Sequence, residues 1–265
     1  MAIRPYRKNC SDPTFKASGR IAMRLYIIIF LPKLQKIFPN LVNFFHFMRC
    51  IYKSSINKIY NIWRNSMARK LRVQLPELTY HITSRCIEWR GMLQEDYVKA
   101  VFVEILRKAK EKYHFKLIGY CIMDNHIHLV IHTVEDGAPI SRIVQYIKAR
   151  FAEMYNKITG RTGPFWNERY KDSIVQFARN GFHYLLWLLW YLAYNPVRKR
   201  MCGSPLQHRY SSIVAYLEED ADVGVPIDHH EYFIKLGKTF AERAKKFMQY
   251  EEAYRKRYSL VVEWV

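Results

Sequence analysis

The order in which strands and helices follow one another is the feature that most constrains the fold of this chain. Residues 94–113 carry apolar side chains at the spacing of an amphipathic helix, and lysines cluster near its end. Segments rich in β-forming residues stand on both sides of it. In chain order we predict a strand at 78–85, a helix at 94–113, strands at 115–122 and 126–133, a helix at 140–158, a strand at 170–177 and a helix that starts near 180 and ends before Pro196. This order predicts an α+β fold of the ferredoxin-like type, an antiparallel sheet with helices on one face.

The charge of the chain points to an acidic partner. The 265 residues carry a formal net charge of +20, and half of them are hydrophobic, which excludes global disorder. Nucleic acid is the leading partner, because neutralised phosphates release counterions and binding is then strong and salt-sensitive. An anionic membrane surface is the competing partner, but no apolar run reaches the 18 or so residues that would span a bilayer.

The cysteines give no sign of a disulfide framework or a zinc site. Their number is odd, and no two of them form a Cys-x-x-Cys pair. They are Cys10, Cys50, Cys86, Cys121 and Cys202. This usage favours a reducing, cytoplasmic location.

Composition divides the chain into three segments. Residues 1–66 are rich in Lys and Arg but contain a single acidic residue, Asp12. This segment is either a tail that binds DNA or lipid, or an extension upstream of the true start, since Met67 begins a plausible protein. A domain at 67–217 follows, and residues 218–265 form a basic C-terminal segment in which 240–257 is predicted to be a solvated helix.

A His-x-His pair occupies the third predicted strand. His126 and His128 share one face of that strand, roughly 6.6 Å apart at about 3.3 Å per residue. Ile127 points to the other face, toward the core. Two histidines so placed could hold one metal ion. An isolated His-x-His motif, however, more often has only a structural role.

The last helix of the predicted fold carries two polar residues on one face. Tyr191 and Asn195 are four positions apart and therefore neighbours on the helix surface. Taken alone, the pair has a simple structural explanation, because the helix is apolar nearly all round and Asn195 stands just before Pro196.

Together these features resemble a known family, the HUH single-tyrosine transposases, and most of all the REP-associated tyrosine transposases and their transposase-like relatives. The resemblance extends from about Met67 to Leu217. It rests on seven motifs in order: Met67-Ala-Arg-Lys, Tyr80-His-Ile-Thr-Ser-Arg85, Met123-Asp-Asn-His-Ile-His-Leu129, Ile147-Lys-Ala-Arg-Phe151, Gly163-Pro-Phe-Trp-Asn-Glu-Arg-Tyr-Lys171, Tyr191-Leu-Ala-Tyr-Asn-Pro-Val197 and Tyr210-Ser-Ser212. One position departs from the pattern: Cys86 stands where many relatives have glycine.

The resemblance implies an HUH endonuclease fold and a role for each matched residue. His126 and His128 would be paired metal ligands, Asn195 would complete the site, and Tyr191 would be the nucleophile. The implied cofactor is a divalent metal, Mg²⁺ or Mn²⁺. The implied reaction is cleavage and transfer of single-stranded DNA through a 5′-phosphotyrosine intermediate. The general base is not identified; a water molecule and His81 are both candidates.

The implied partner is a DNA hairpin with an adjacent single strand, such as a repetitive extragenic palindrome, and no membrane. Basic residues near the site would contact the DNA, and aromatic surfaces would stack unpaired bases. The candidates are Arg142, Lys148, Arg150, Arg169, Lys171, Arg198, Lys199 and Arg200. Two alternatives stay open: a domesticated protein that binds hairpins without cleaving them, and a homodimer in which Tyr191 acts on the metal site of the other subunit.

Overall fold

The structure, a computed structural model, describes residues 74–260, which belong to one compact unit at 72–265. The strands are β1 (Thr79–Arg85), β2 (Phe115–Ile122), β3 (His126–Thr133) and β4 (Lys171–Ile174), and the helices are α1 (Asp96–Lys112), α2 (Ile140–Thr159), α3 (Gly181–Arg198), α4 (Glu231–Ile234) and α5 (Phe240–Tyr258). The predictions for residues 1–66 lie outside the described residues. None of the helices within 74–260 is both long and apolar enough to cross a membrane.

The four strands form one antiparallel sheet in the order β2-β3-β1-β4. This order, with a crossover helix after β1 and another after β3, is the ferredoxin-like arrangement. The predicted α+β fold is therefore confirmed, and the predicted bounds of β2 and β3 match the structure.

The last predicted strand is too long. β4 ends at Ile174 and a 3₁₀ turn, Val175–Phe177, follows it. A contact at the first residue of β1 explains the difference. There the backbone N–H of Thr79 donates to the side-chain Oε1 of Gln176 at 2.9 Å rather than to a backbone oxygen of a neighbouring strand. The chain can then turn toward α3.

The two crossover helices cover one face of the sheet, as predicted. Ile127, Leu129 and Ile131 of β3 are fully buried there, together with apolar residues of α1 and α2. Because side chains alternate along a strand, the histidines of β3 lie on the opposite face.

Helix α3 covers that opposite face, which explains why it is apolar nearly all round. The prediction that it ends before Pro196 is wrong, since it continues to Arg198. Proline removes only its own N–H, and the next turn is still held, because the N–H of Lys199 donates to the carbonyl of Asn195 at 3.1 Å. Asn195 therefore lies within the helix rather than at its end.

Helix α5 is present as predicted, but its description as a solvated helix is wrong. Phe247 and Tyr254 are fully buried against α3. The indole of Trp190 in α3 donates to the backbone oxygen of Phe247 at 3.0 Å and stacks on its ring. The boundary drawn between residues 217 and 218 stays a prediction.

This packing gives a test of how far α5 stabilises the fold. We expect Phe247→Ala to lower the free energy of unfolding by about 3–5 kcal/mol, because it leaves a cavity where a phenyl ring was buried. Lys246→Ala on the exposed side of the same helix should change it by less than about 0.5 kcal/mol. Urea unfolding followed by circular dichroism measures both. A small effect of Phe247→Ala would mean that α5 contributes little to stability.

A buried polar network joins α4 to β1 and β3. The Thr79 hydroxyl lies 3.0 Å from Nδ1 of His132 and 3.0 Å from Nε2 of His230. His230 also caps α4, since its Nδ1 accepts the N–H of Tyr232. Burial lowers the pKa of His230 to about 4, so the ring stays neutral in the folded protein.

The depressed pKa of His230 predicts a loss of stability in acid. Between about pH 6.5 and pH 4, His230 is protonated in the unfolded chain but stays neutral in the folded protein. The free energy of unfolding therefore falls as pH falls. We expect His230→Asn, which preserves the helix cap, to reduce that slope by at most ~1.4 kcal/mol per pH unit. Chemical denaturation at several pH values measures the slopes. Equal slopes for both proteins would contradict the depressed pKa.

Candidate active site

Three histidines lie together on the face of the sheet that α3 covers. The ring centroids of His126 and His128 on β3 are 5.0 Å apart. Pairing of β1 with β3 places Thr83 opposite His128 and Arg85 opposite His126. His81, also on β1, stacks on His128 with ring centroids 5.2 Å apart and planes 18° from parallel.

The hydrogen bonds of His126 leave one ring nitrogen available. Its Nδ1 lies 2.7 Å from Oδ1 of Asn125. The Asn125 amide is itself oriented, because its Nδ2 donates to the backbone oxygen of Trp89 at 3.3 Å. Nδ1 of His126 must therefore carry the proton, and Nε2 holds a lone pair.

One ring nitrogen of His128 has hydrogen-bond partners, and the other has none. Its Nδ1 lies 3.0 Å from Nε2 of His81 and 3.3 Å from the hydroxyl of Thr83. Its Nε2 is buried and has no hydrogen-bond partner. A buried polar atom without a partner is costly, and a metal ion bound through that lone pair would relieve the cost.

The ionisation states also suit a metal ligand. Burial lowers the pKa of His126 to about 4, with a further contribution from the charges of Arg85 and Lys199. Burial also holds the pKa of His128 well below its usual range and lowers that of His81 to about 4. The rings are therefore neutral at neutral pH, as a metal ligand must be.

Tyr191 and Asn195 of α3 border the same site within one chain. The ring centroid of Tyr191 is 5.7 Å from that of His128 and 6.3 Å from that of His81, in both cases edge to face. Nδ2 of Asn195 donates to the backbone oxygen of Tyr191 at 2.9 Å, which leaves the amide oxygen as the atom for a ligand. Among the described residues no cluster of three or more His, Cys, Asp or Glu could hold a metal.

A cavity of about 390 Å³ brings the predicted site residues together. Its lining includes both histidines of the pair, Tyr191 and Asn195, and three predicted DNA-binding residues, Arg169, Lys171 and Lys199. The lining also includes residues that sequence reasoning missed, among them Arg85 and Trp89. The guanidinium of Arg85 lies 3.9 Å from the ring centroid of Trp89, and both line the cavity. Arg85 was detectable, because it shares a strand face with His81 and Thr83.

A second groove, of about 550 Å³, adjoins the first through Arg169, which lines both. The Lys148 ammonium lies 5.3 Å from the ring centroid of Trp166 in this groove and donates to the backbone oxygen of Glu168 at 2.8 Å. A cation and an aromatic ring together suit a nucleic-acid strand.

The remaining predicted DNA-binding residues line neither cavity. They are Arg142, Arg150, Arg198 and Arg200. Arg150 pairs with Glu153 at 2.7 Å, and the guanidinium of Arg198 lies 5.4 Å from the ring centroid of Tyr258. Their role in DNA binding stays a prediction.

Comparison with known proteins identifies a family for part of this chain. The sequence model of the family described as "Transposase IS200 like" matches residues 74–180. Residues 74–180 thus carry an IS200-like transposase domain. The matched segment includes the histidine pair but ends before Tyr191, so the role proposed for the tyrosine depends on its position beside the histidines.

Solved structures with similar chains include two transposases. A REP-associated tyrosine transposase bound to a REP hairpin is 17% identical, with a TM-score of 0.47 over 62% of this chain and 94% of its own. A presumed transposase from Deinococcus radiodurans R1 is 19% identical, with a TM-score of 0.31 over 41% of this chain and 84% of its own. No curated protein matches the sequence.

Proposed function

We propose that this transposase is a metal-dependent endonuclease and strand transferase for single-stranded DNA. One observation carries the proposal: the Tyr191 ring lies 5.7 Å from the ring of His128, whose buried Nε2 has no partner. The proposed nucleophile and the proposed ligand nitrogen are thus neighbours, although α3 and β3 are far apart in sequence.

In the proposed reaction the Tyr191 hydroxyl attacks the scissile phosphorus. The bond from phosphorus to the 3′ oxygen breaks, and a 5′-phosphotyrosine forms beside a free 3′-hydroxyl. The proton that the tyrosine loses balances the one that the 3′ oxygen gains. The phosphotyrosine preserves a diester, so a second 3′-hydroxyl can reverse the step and join a different strand.

The neutral histidines and the amide suit a divalent cation. His126 and His128 would hold it through Nε2, and Asn195 through its amide oxygen. When bound, Mg²⁺ or Mn²⁺ neutralises phosphate oxygens and helps to orient the scissile bond. Around them, Arg85 and Lys199 supply positive charge that attracts the backbone of the strand.

We propose that Tyr191 acts in cis. Its ring contacts two histidines of its own chain, so the site needs no residue from a second subunit. A homodimer that exchanges this helix would have to separate α3 from α5, which bury Trp190 and Phe247 between them.

The proposed substrate is a DNA hairpin with an adjacent single strand. The motifs shared with REP-associated transposases support it, and the similar REP-associated tyrosine transposase described above was solved bound to a REP hairpin. The groove lined by Lys148, Trp166 and Arg169 would take part of the single strand, where base stacking on an aromatic ring contributes roughly 1–3 kcal/mol.

The test uses the full chain with a hairpin oligonucleotide that carries a different dye at each end. With Mn²⁺ we expect the dye on the 3′ fragment to migrate with the protein in denaturing gels, while the 5′ fragment is released with a free 3′-hydroxyl. Chelation of the metal should abolish the adduct. Tight hairpin binding without an adduct in Mg²⁺ or Mn²⁺ would instead favour a domesticated DNA-binding protein.

A further inference from the structure

His81 contacts the proposed metal site without belonging to the proposed ligand set. Its Nε2 lies 3.0 Å from Nδ1 of His128, and the two rings are stacked. Its ring also meets that of Tyr191 edge to face. His81 thus contacts both a proposed metal ligand and the proposed nucleophile.

The contact between the two histidines contains one proton, and its position decides what His128 can do. If His81 donates, His128 carries its own proton on Nε2, where a buried N–H would have no acceptor. If His128 donates from Nδ1, its Nε2 exposes a lone pair. Only the second arrangement can bind a cation.

We infer that His81 is a positioning residue that accepts the Nδ1 proton of His128 and so keeps the Nε2 lone pair of His128 available for the metal. This inference rests on the proposed function. Asn125 does the same for His126, since its Oδ1 accepts the Nδ1 proton of that ring. Each proposed histidine ligand therefore has its own acceptor, one an amide and the other an imidazole.

The same geometry argues against His81 as the general base. A base must direct a free lone pair to the tyrosine hydroxyl, but a neutral imidazole has a single basic lone pair, and that of His81, on Nε2, accepts the proton of His128. A substitution of His81 can therefore distinguish a positioning residue from a general base. Glutamine can accept a hydrogen bond near the position of Nε2, but it cannot take up a proton at neutral pH.

The experiment compares Mn²⁺ binding by the wild-type full chain, His81→Gln and His81→Leu, measured by electron paramagnetic resonance without DNA. We expect His81→Leu to weaken binding by about 10- to 100-fold, as loss of an acceptor behind a metal ligand commonly does. The hydroxyl of Thr83, 3.3 Å from Nδ1 of His128, is the remaining acceptor and limits the loss. His81→Gln should bind within about threefold of wild type and still form the DNA adduct.

A second measurement does not depend on the folding of any variant. Nitrogen-15 spectra of the imidazoles in the metal-free wild type should show His128 protonated on Nδ1. Protonation on Nε2, or equal Mn²⁺ affinity in His81→Leu and wild type, would overturn the inference while leaving the proposed metal site intact. Loss of the adduct in His81→Gln with normal Mn²⁺ binding would also overturn it and favour a base. A wild-type protein that binds no Mn²⁺ would overturn the metal site and the inference together.

Discussion

Tyr191→Phe is expected to abolish the covalent protein–DNA adduct and to lower strand cleavage by at least about 10³-fold. Phenylalanine preserves the ring that packs against His81 and His128, and it removes only the oxygen that we propose as the nucleophile. Hairpin affinity and Mn²⁺ affinity should therefore stay within about threefold of wild type. The two-dye assay measures cleavage, a gel shift measures hairpin affinity, and electron paramagnetic resonance measures Mn²⁺ affinity.

Tyr184→Phe is the matched control, since Tyr184 lies on the same helix but does not line the cavity. It should form the adduct at the wild-type rate. An adduct that persists in Tyr191→Phe would contradict the assignment of the nucleophile.

Tyr194 is the obvious competitor in the sequence, and the structure separates the two tyrosines. The Tyr194 side chain is fully buried and its hydroxyl donates to Glu251 of α5. Burial and the Glu251 carboxylate raise the pKa of Tyr194 far above its usual range. Tyr191, three residues earlier, lies instead on the helix face that borders the histidines. The positions of the two tyrosines on the helix therefore leave only the Tyr191 hydroxyl at the proposed site.

Patterns of neighbouring residues predicted most of the fold, because strand alternation and helical spacing depend on neighbouring residues alone. Alternation along β3 places Ile127 in the core and His126 and His128 on the other face, as the structure has them. Long-range packing was harder to predict. Nearly half of the residues of helix α5 are charged, and only its contact with α3 shows that Phe247 is buried.

The candidate site divides in the same way. The histidine pair, Tyr191 and Asn195 could be named from motif and spacing. The contact of His81 with His128 could not, because it depends on the register between β1 and β3, which are separated by a helix and a strand. The predicted basic residues were sorted only by the structure, since charge in a sequence does not tell which side chains reach the cavity.

His128→Ala is expected to reduce both Mn²⁺ affinity and adduct formation by at least about 10²-fold, because it removes the buried nitrogen without a hydrogen-bond partner that we propose as a metal ligand. Strand β3 offers a matched control, His132→Asn. His132 shares the strand face of His128, but its Nδ1 lies 3.0 Å from the Thr79 hydroxyl, a contact that the asparagine oxygen can reproduce. Its Mn²⁺ binding should equal that of wild type.

The comparison separates a metal role from a merely structural one, because both histidines are neutral, at least partly buried and hydrogen-bonded to β1. If burial alone made these residues important, both substitutions would lower the free energy of unfolding, and neither would change metal affinity in the protein that remains folded. Thermal unfolding, run beside Mn²⁺ titration, distinguishes the cases. His128→Ala with wild-type Mn²⁺ affinity would show that the unpartnered nitrogen is not a ligand, and the proposed chemistry would then need a different site.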